Sequence, residues 1–111
     1  METVRFEGAP IYEAPKHFNM TARRLQGLEA SGAETCSVAF STFAPGGGAE
    51  ASSTPFEKIY VVLSGEIAIT VPEGRFTLRQ YDSCRIEPNE ERTILNESSA
   101  LAEVLVIIPA V

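Results

Sequence analysis

The chain has no tryptophan and a single histidine, His17. It therefore cannot supply a cluster of imidazoles, the donors that transition metals take beside thiolate and carboxylate. Cysteine is nearly as scarce. Cys36 and Cys84 have no metal-ligand spacing with His17, and two cysteines in a chain of intracellular character read as small buried thiols and not as a disulfide. Basic residues are also few: nine Lys and Arg against fifteen Asp and Glu give a net charge of −6. The one adjacent basic pair is Arg23-Arg24, so no stripe of positive charge exists for a phosphate backbone, and nucleic acid is excluded as a partner. No apolar run can span a bilayer; the longest, near residues 104–111, contains Pro109. The opening METVRFEGAP carries acidic residues and no apolar core of a secretory signal. These absences lead to the expectation of a cytoplasmic protein with no membrane partner. Helical periodicity is missing too, since the one candidate, Glu29–Thr35, is short and contains Gly32. Gly46-Gly47-Gly48 has no Gly-Lys-Ser/Thr after it, and no nucleophile elbow is present.

What the chain does hold is strand signal. Its 111 residues are 44% hydrophobic and 22% charged, ordinary usage for one globular domain. Glu57–Leu63 is rich in Ile, Tyr and Val, and Ser64-Gly65 ends it. Glu66–Val71 alternates with period two, and Pro72-Glu73-Gly74 turns the chain into Arg75–Leu78. Ser83–Glu87 and Arg92–Asn96 flank the turn Pro88-Asn89-Glu90, and Leu101–Ile108 reads as a long buried strand. Upstream, Val4–Phe6, Met20–Gln26 and Cys36–Phe43 are weaker strands, while residues 28–35 and 44–55 read as loose stretches. About nine short strands without a helix predict an all-β barrel or sandwich.

Residues 46–65 carry a more specific pattern. Gly46, five residues, Ser52-Ser53-Thr54, three residues, Lys58, six residues and Gly65 keep the spacing of a known motif. This resembles the first motif of the cupin family, small jelly-roll β-barrels, in which Ser52, Thr54 and Lys58 stand where the family has two histidines and a glutamate. A second cupin motif is framed by Tyr81 and Asn96. Tyr81 and Asn89 replace its two glycines, Glu87 falls on its proline with Pro88 one later, Arg92 replaces its histidine ligand, and Asn96 matches its asparagine. The resemblance covers about residues 36–108. It implies a single-domain jelly-roll barrel over 1–111, with N-terminal strands and a loop in 1–35 and the barrel core in 36–108. It also implies pairing of barrels into a homodimer.

The ligand positions offer two hydroxyls and two cations, a set that does not suit a divalent transition metal. No metal site and no cofactor are therefore expected. On the expected barrel, Lys58 and Tyr60 point inward and Arg92 converges on them. Buried unpaired cations cost several kcal/mol each. Two arrangements answer that cost: internal ion pairs with Glu50, Glu57, Glu66 or Glu103, or a bound anion. In the second, Lys58 and Arg92 hold a small organic anion, with Ser52, Thr54, Tyr60 and Asn96 as polar walls. Lys58, Tyr60 and His17 are then the candidates for chemistry: proton transfer by Tyr60 or His17, or a Schiff base at Lys58 if burial lowers its pKa. Metal-free cupins of the epimerase and polyketide-cyclase kinds make isomerisation, cyclisation or decarboxylation the expected reactions. A non-catalytic ligand-binding or structural dimer is the alternative. The outer face of 57–63, with Ile59, Val61 and Leu63, calls for cover by the N-terminal segment or by a second subunit.

Overall fold

The computed structural model describes residues 1–109. A short 3-10 turn, Phe6–Gly8, precedes nine strands: β1 (Ile11–Tyr12), β2 (His17–Gln26), β3 (Cys36–Ser52), β4 (Lys58–Ser64), β5 (Ile67–Val71), β6 (Gly74–Leu78), β7 (Ser83–Ile86), β8 (Arg92–Leu95) and β9 (Ala102–Pro109). Among the described residues there is no α-helix, and every strand pair is antiparallel. The strands are ordered β6-β5-β8-β3-β9-β4-β7, with β2 on β3 and β1 on β2. The sheet curls into a nearly closed barrel of jelly-roll type whose free edges include β6 and β7. The core lies inside it, built from Phe43, Tyr60, Val62, Ile67, Ile69 and Val104 among others.

The expected strands from residue 57 onward are present with ends moved by a residue or so, as hydrogen-bonded boundaries commonly are. Three upstream readings need correction. Val4–Phe6 is not a strand: Phe6 begins the 3-10 turn, where it packs edge-on to Phe40 with ring centroids 5.0 Å apart. The nine strands include Ile11–Tyr12 in its place, a segment too short to announce itself. Residues 44–52, read as part of a loose stretch, are the second half of β3. Residues Cys36–Phe43 of that strand pair with β9, and Gly48–Ser52 pair with β8, so β3 carries the chain from one side of the barrel to the other. Its glycines are there because neighbouring backbone crowds it. A Cβ on Gly47 would stand 2.2 Å from the Asn19 carbonyl oxygen, and one on Gly48 would stand 2.0 Å from that of Ile94. Gly46 makes the bend with φ +82°, a conformation that side chains disfavour.

Strand alternation sets the faces of β4. Lys58, Tyr60 and Val62 are buried, while Ile59, Val61 and Leu63 face outward. Lys58 pairs with Ile86 of β7, and Tyr60 sits between Cys84 of β7 and Val106 of β9. Ser52 pairs with Arg92, which brings the two motif positions into one register.

Candidate functional site

The mouth and interior of the barrel enclose a cavity of about 410 Å³. Ser52, Thr54, Lys58, Tyr60 and Arg92 line it, and so does His17 from outside the two motifs. Asn96 does not. Its side chain is fully buried and occupied elsewhere: Nδ2 donates to the carbonyls of Phe43 (3.0 Å) and Ala100 (2.8 Å), and Oδ1 accepts from the Ser98 amide and hydroxyl. It clamps the loop after β8 to β3, so the reading of Asn96 as a cavity wall is corrected to a fold-holding role.

Arg92 is 4% exposed and Lys58 6%. Arg92 follows the charged Glu90-Glu91, and the β3–β8 register carries it inside. Its Nε donates to the Tyr60 hydroxyl oxygen at 2.9 Å, and its Nη1 donates to Ser52 Oγ at 3.0 Å and to the Glu50 carbonyl at 3.2 Å. These are neutral acceptors. Among the described residues no carboxylate pairs with either cation, and the four glutamates considered above are engaged or turned elsewhere. Glu57 pairs with Arg85, Glu66 with Arg79 at 3.2 Å, Glu103 accepts from Ser64 Oγ at 2.8 Å, and Glu50 contacts Arg92 through its backbone alone. Among the described residues no Asp or Glu lines the cavity.

Of the nitrogens of Lys58 and Arg92, two have no hydrogen-bond partner among the described residues: Lys58 Nζ and Arg92 Nη2. No fully buried side-chain nitrogen or oxygen there lacks a partner, so both atoms retain accessible surface, and on cavity-lining residues this buried it faces the cavity. Burial pushes the Lys58 amine below the ordinary lysine range, and the nearby Arg92 guanidinium pushes it further the same way. Tyr60 moves in the other direction. Burial raises its phenol, outweighing the stabilising effect of Arg92, so the hydroxyl keeps its proton at neutral pH.

His17 was a candidate for proton transfer. The structure places it at the start of β2, lining the cavity, with its ring stacked on Phe43 at 6.4 Å between centroids. Nδ1 lies 2.8 Å from the Pro15 carbonyl oxygen. A carbonyl only accepts, so Nδ1 carries the proton and Nε2 the lone pair. Burial lowers the His17 pKa; the Pro15 bond opposes this, while Arg92 and Lys58 add to it. The ring is therefore neutral at neutral pH and able to take a proton at Nε2.

The sequence reading missed the apolar wall of Phe43, Ile94, Val104 and Val106, and the rim residues Tyr12 and Arg24. The wall was signalled by alternation alone: Ile94 is two residues from Arg92, and Val104 and Val106 share one face of β9. Arg24 guards the rim while pairing with Glu29 at 2.8 Å and lying 4.0 Å from the centre of the Tyr12 ring. The donor set at the positions where cupins hold a metal does not fit one, since it consists of hydroxyls and cations. Among the described residues no group of three or more His, Cys, Asp or Glu could hold an ion.

Among curated proteins, the chain is 39% identical over 108 residues to the β-D-galactosidase Rv1717 of Mycobacterium tuberculosis, covering 97% of this chain and 93% of that one. Among solved structures it superposes on the polyketide cyclase RemF of Streptomyces resistomycificus with a TM-score of 0.87 at 17% identity, covering 100% of this chain and 80% of the other. An RmlC-like cupin from Shewanella frigidimarina gives a TM-score of 0.82 at 12% identity, with 100% and 92% covered. At such identities the two structures speak for the fold alone. Residues 39–108 match the model of the cupin domain family, and with the barrel and both motif frames in place the chain belongs to the cupins.

Proposed function

We propose that this cupin binds a small organic acid inside its barrel and moves a proton on it without a metal. One observation carries the reading: two buried cations, Lys58 and Arg92, open into a cavity that no Asp or Glu among the described residues lines. The cavity volume of about 410 Å³ is in the range of small-molecule sites. Its walls suit a ligand with an apolar body against Phe43, Ile94 and Val104 and an anionic head on Arg92. The Arg92 Nη2 left over by these bonds suits a carboxylate oxygen, and the ammonium adds a point charge. The same cations stabilise an enolate when a proton leaves the carbon beside a carbonyl, and His17 Nε2 is the base that receives it. Isomerisation, cyclisation and decarboxylation all pass through such a carbanion-like state.

The test is a thermal-shift screen of small carboxylic acids on wild type and Lys58→Met. Each charge-assisted hydrogen bond contributes about 1.5–3 kcal/mol. Loss of one weakens binding about tenfold or more. Stabilisation of wild type by an acid, weakened in the variant while its fold persists, is expected. A wild type that no acid stabilises, together with a Lys58→Met chain that unfolds, would make the lysine a structural residue and end the proposal. Product analysis with the acids that bind separates catalysis from a purely ligand-binding role.

Galactoside hydrolysis is the second reading, favoured by the name and 39% identity of the mycobacterial relative. Most glycosidases act through two carboxyl groups flanking the bond. The cavity offers none. Turnover of a chromogenic galactoside that is abolished by Lys58→Met or His17→Gln would decide for this reading.

A further inference from the structure

We infer that Lys58 is an imine-forming nucleophile and that the acid held in the cavity is a 2-oxo acid. The inference rests on the acid-binding reading above and adds the reactive group. Three features of the site support it. Lys58 Nζ opens into the cavity and has no hydrogen-bond or ion-pair partner among the described residues. Arg92 is tied through Nε and Nη1 to Tyr60, Ser52 and the Glu50 carbonyl, so its geometry is fixed while Nη2 is left for a ligand. A 2-oxo acid sets its carboxylate and its electrophilic carbon one bond apart, matching a fixed cation beside an amine. An ordinary anion-binding lysine is protonated. Here burial and the Arg92 charge both favour the free amine.

The step balances without an outside oxidant or reductant. The Lys58 nitrogen lone pair adds to the keto carbon, and the carbonyl π electrons move to oxygen. A proton passes from nitrogen to that oxygen. The Tyr60 hydroxyl, still protonated, is placed to donate as the oxygen departs as water, which leaves a protonated imine. His17 Nε2 then takes a proton from the adjacent carbon, giving an enamine, and can return it. Hydrolysis by one water frees the lysine. Bond formation at Nζ and loss of water are thus an exchange of one keto oxygen for one imine nitrogen.

Lys16 and Lys58 are the chain's lysines, and both border the cavity, but Lys16 is exposed at its mouth. This provides an internal control. The full chain would be incubated with pyruvate or phenylpyruvate and sodium cyanoborohydride, and the reduced adduct located by peptide mass mapping. Each unit of lowered pKa raises the free-amine fraction at neutral pH about tenfold. The adduct is therefore expected on Lys58 well above its level on Lys16, the same amine in open solvent. Its yield should rise with pH, and lactate, which has the carboxylate but no keto group, should suppress it. The wild-type map decides the matter without any variant. Equal labelling of Lys16 and Lys58 overturns the inference. So does a 2-oxo acid that raises the melting temperature yet leaves Lys58 unmodified, an outcome under which the acid-binding proposal still stands. If neither lactate nor a 2-oxo acid stabilises the protein and no adduct forms, both fall together.

Discussion

Tyr81 and Asn89 have φ of +69° and +65°, left-handed values that only glycine adopts freely. They are the two residues that replace glycines of the second cupin motif, so the turns of that motif persist after their glycines have gone. Tyr81 closes the turn between β6 and β7: its amide donates to the Val62 carbonyl at 2.7 Å, and the Asp82 amide donates to that of Arg79 at 2.9 Å. Its side chain is 75% exposed and contributes little packing. A non-glycine residue in this region costs about 1–3 kcal/mol. Glycine returns part of that as about 0.5–1 kcal/mol of unfolded-state entropy. Tyr81→Gly should therefore stabilise the chain by about 1 kcal/mol, a rise of about 4 °C in melting temperature for a domain near this size. A scanning calorimetry trace with an unchanged or lower midpoint would show that the ring does more than sit in solvent. At this scale the motif positions were legible, because spacing is a property of the chain itself. The roles of Asn96 and His17 were not, because each depends on a carbonyl from elsewhere in the fold or from a turn that sequence does not announce.

β3 shows what an element's sequence conceals. Ala44-Pro45-Gly46-Gly47-Gly48 has the composition of a loop, yet it is continuous strand because β2 and β8 approach too closely for side chains. Strand propensity describes how well a side chain fits a pleated, half-buried surface, and it fails where the neighbour is bare backbone. Gly48→Ala would set a methyl 2.0 Å from the Ile94 carbonyl oxygen and push β8, with Arg92 on it, out of register. Overpacking of this kind costs about 1–3 kcal/mol. Lower denaturant midpoints and weakened acid binding are expected together. Gly8→Ala, with no atom within 4 Å of the added Cβ, is the control and should leave both unchanged. If Gly48→Ala behaved like Gly8→Ala, the crowding at β8 would be absent in solution.

For the whole molecule, the outer side of the barrel is the open matter. Ile59 is 37% exposed, and the register places Ile107 beside it and Leu105 beside Val61. The N-terminal segment covers one end of this face by seating Phe6 on Phe40, and Arg23 closes over the Phe6 ring at 4.8 Å. It does not reach the β4 end, where an apolar strip remains. A second copy of the chain is the expected cover, with an interface of about 1,600 Å² or more in total. Sedimentation at micromolar concentration should give twice the chain mass of 12.0 kDa, and Val61→Arg should reduce it to one. A wild-type monomer would refute the pairing. The net charge of −6 also bears on function at this scale. Long-range attraction does not draw anions to such a protein, so the proposed acid would have to be recognised locally, within the cavity.

The sequence by itself determined the all-β class, the two motif frames and the inward face of β4, since each follows from local spacing or from the two-residue period of a strand. It also determined that the metal positions hold hydroxyls and cations. Only the tertiary structure removed the four glutamates as ion-pair partners of Lys58 and Arg92. Which glutamates lie near them depends on pairings between strands distant in the chain, and those pairings send Glu57 to Arg85 and Glu66 to Arg79. The same long-range contacts bring His17, some 41 residues before Lys58 in the chain, to the wall of one cavity with it. Periodicity reports which way a side chain faces; what it meets there is set by the closure of the barrel.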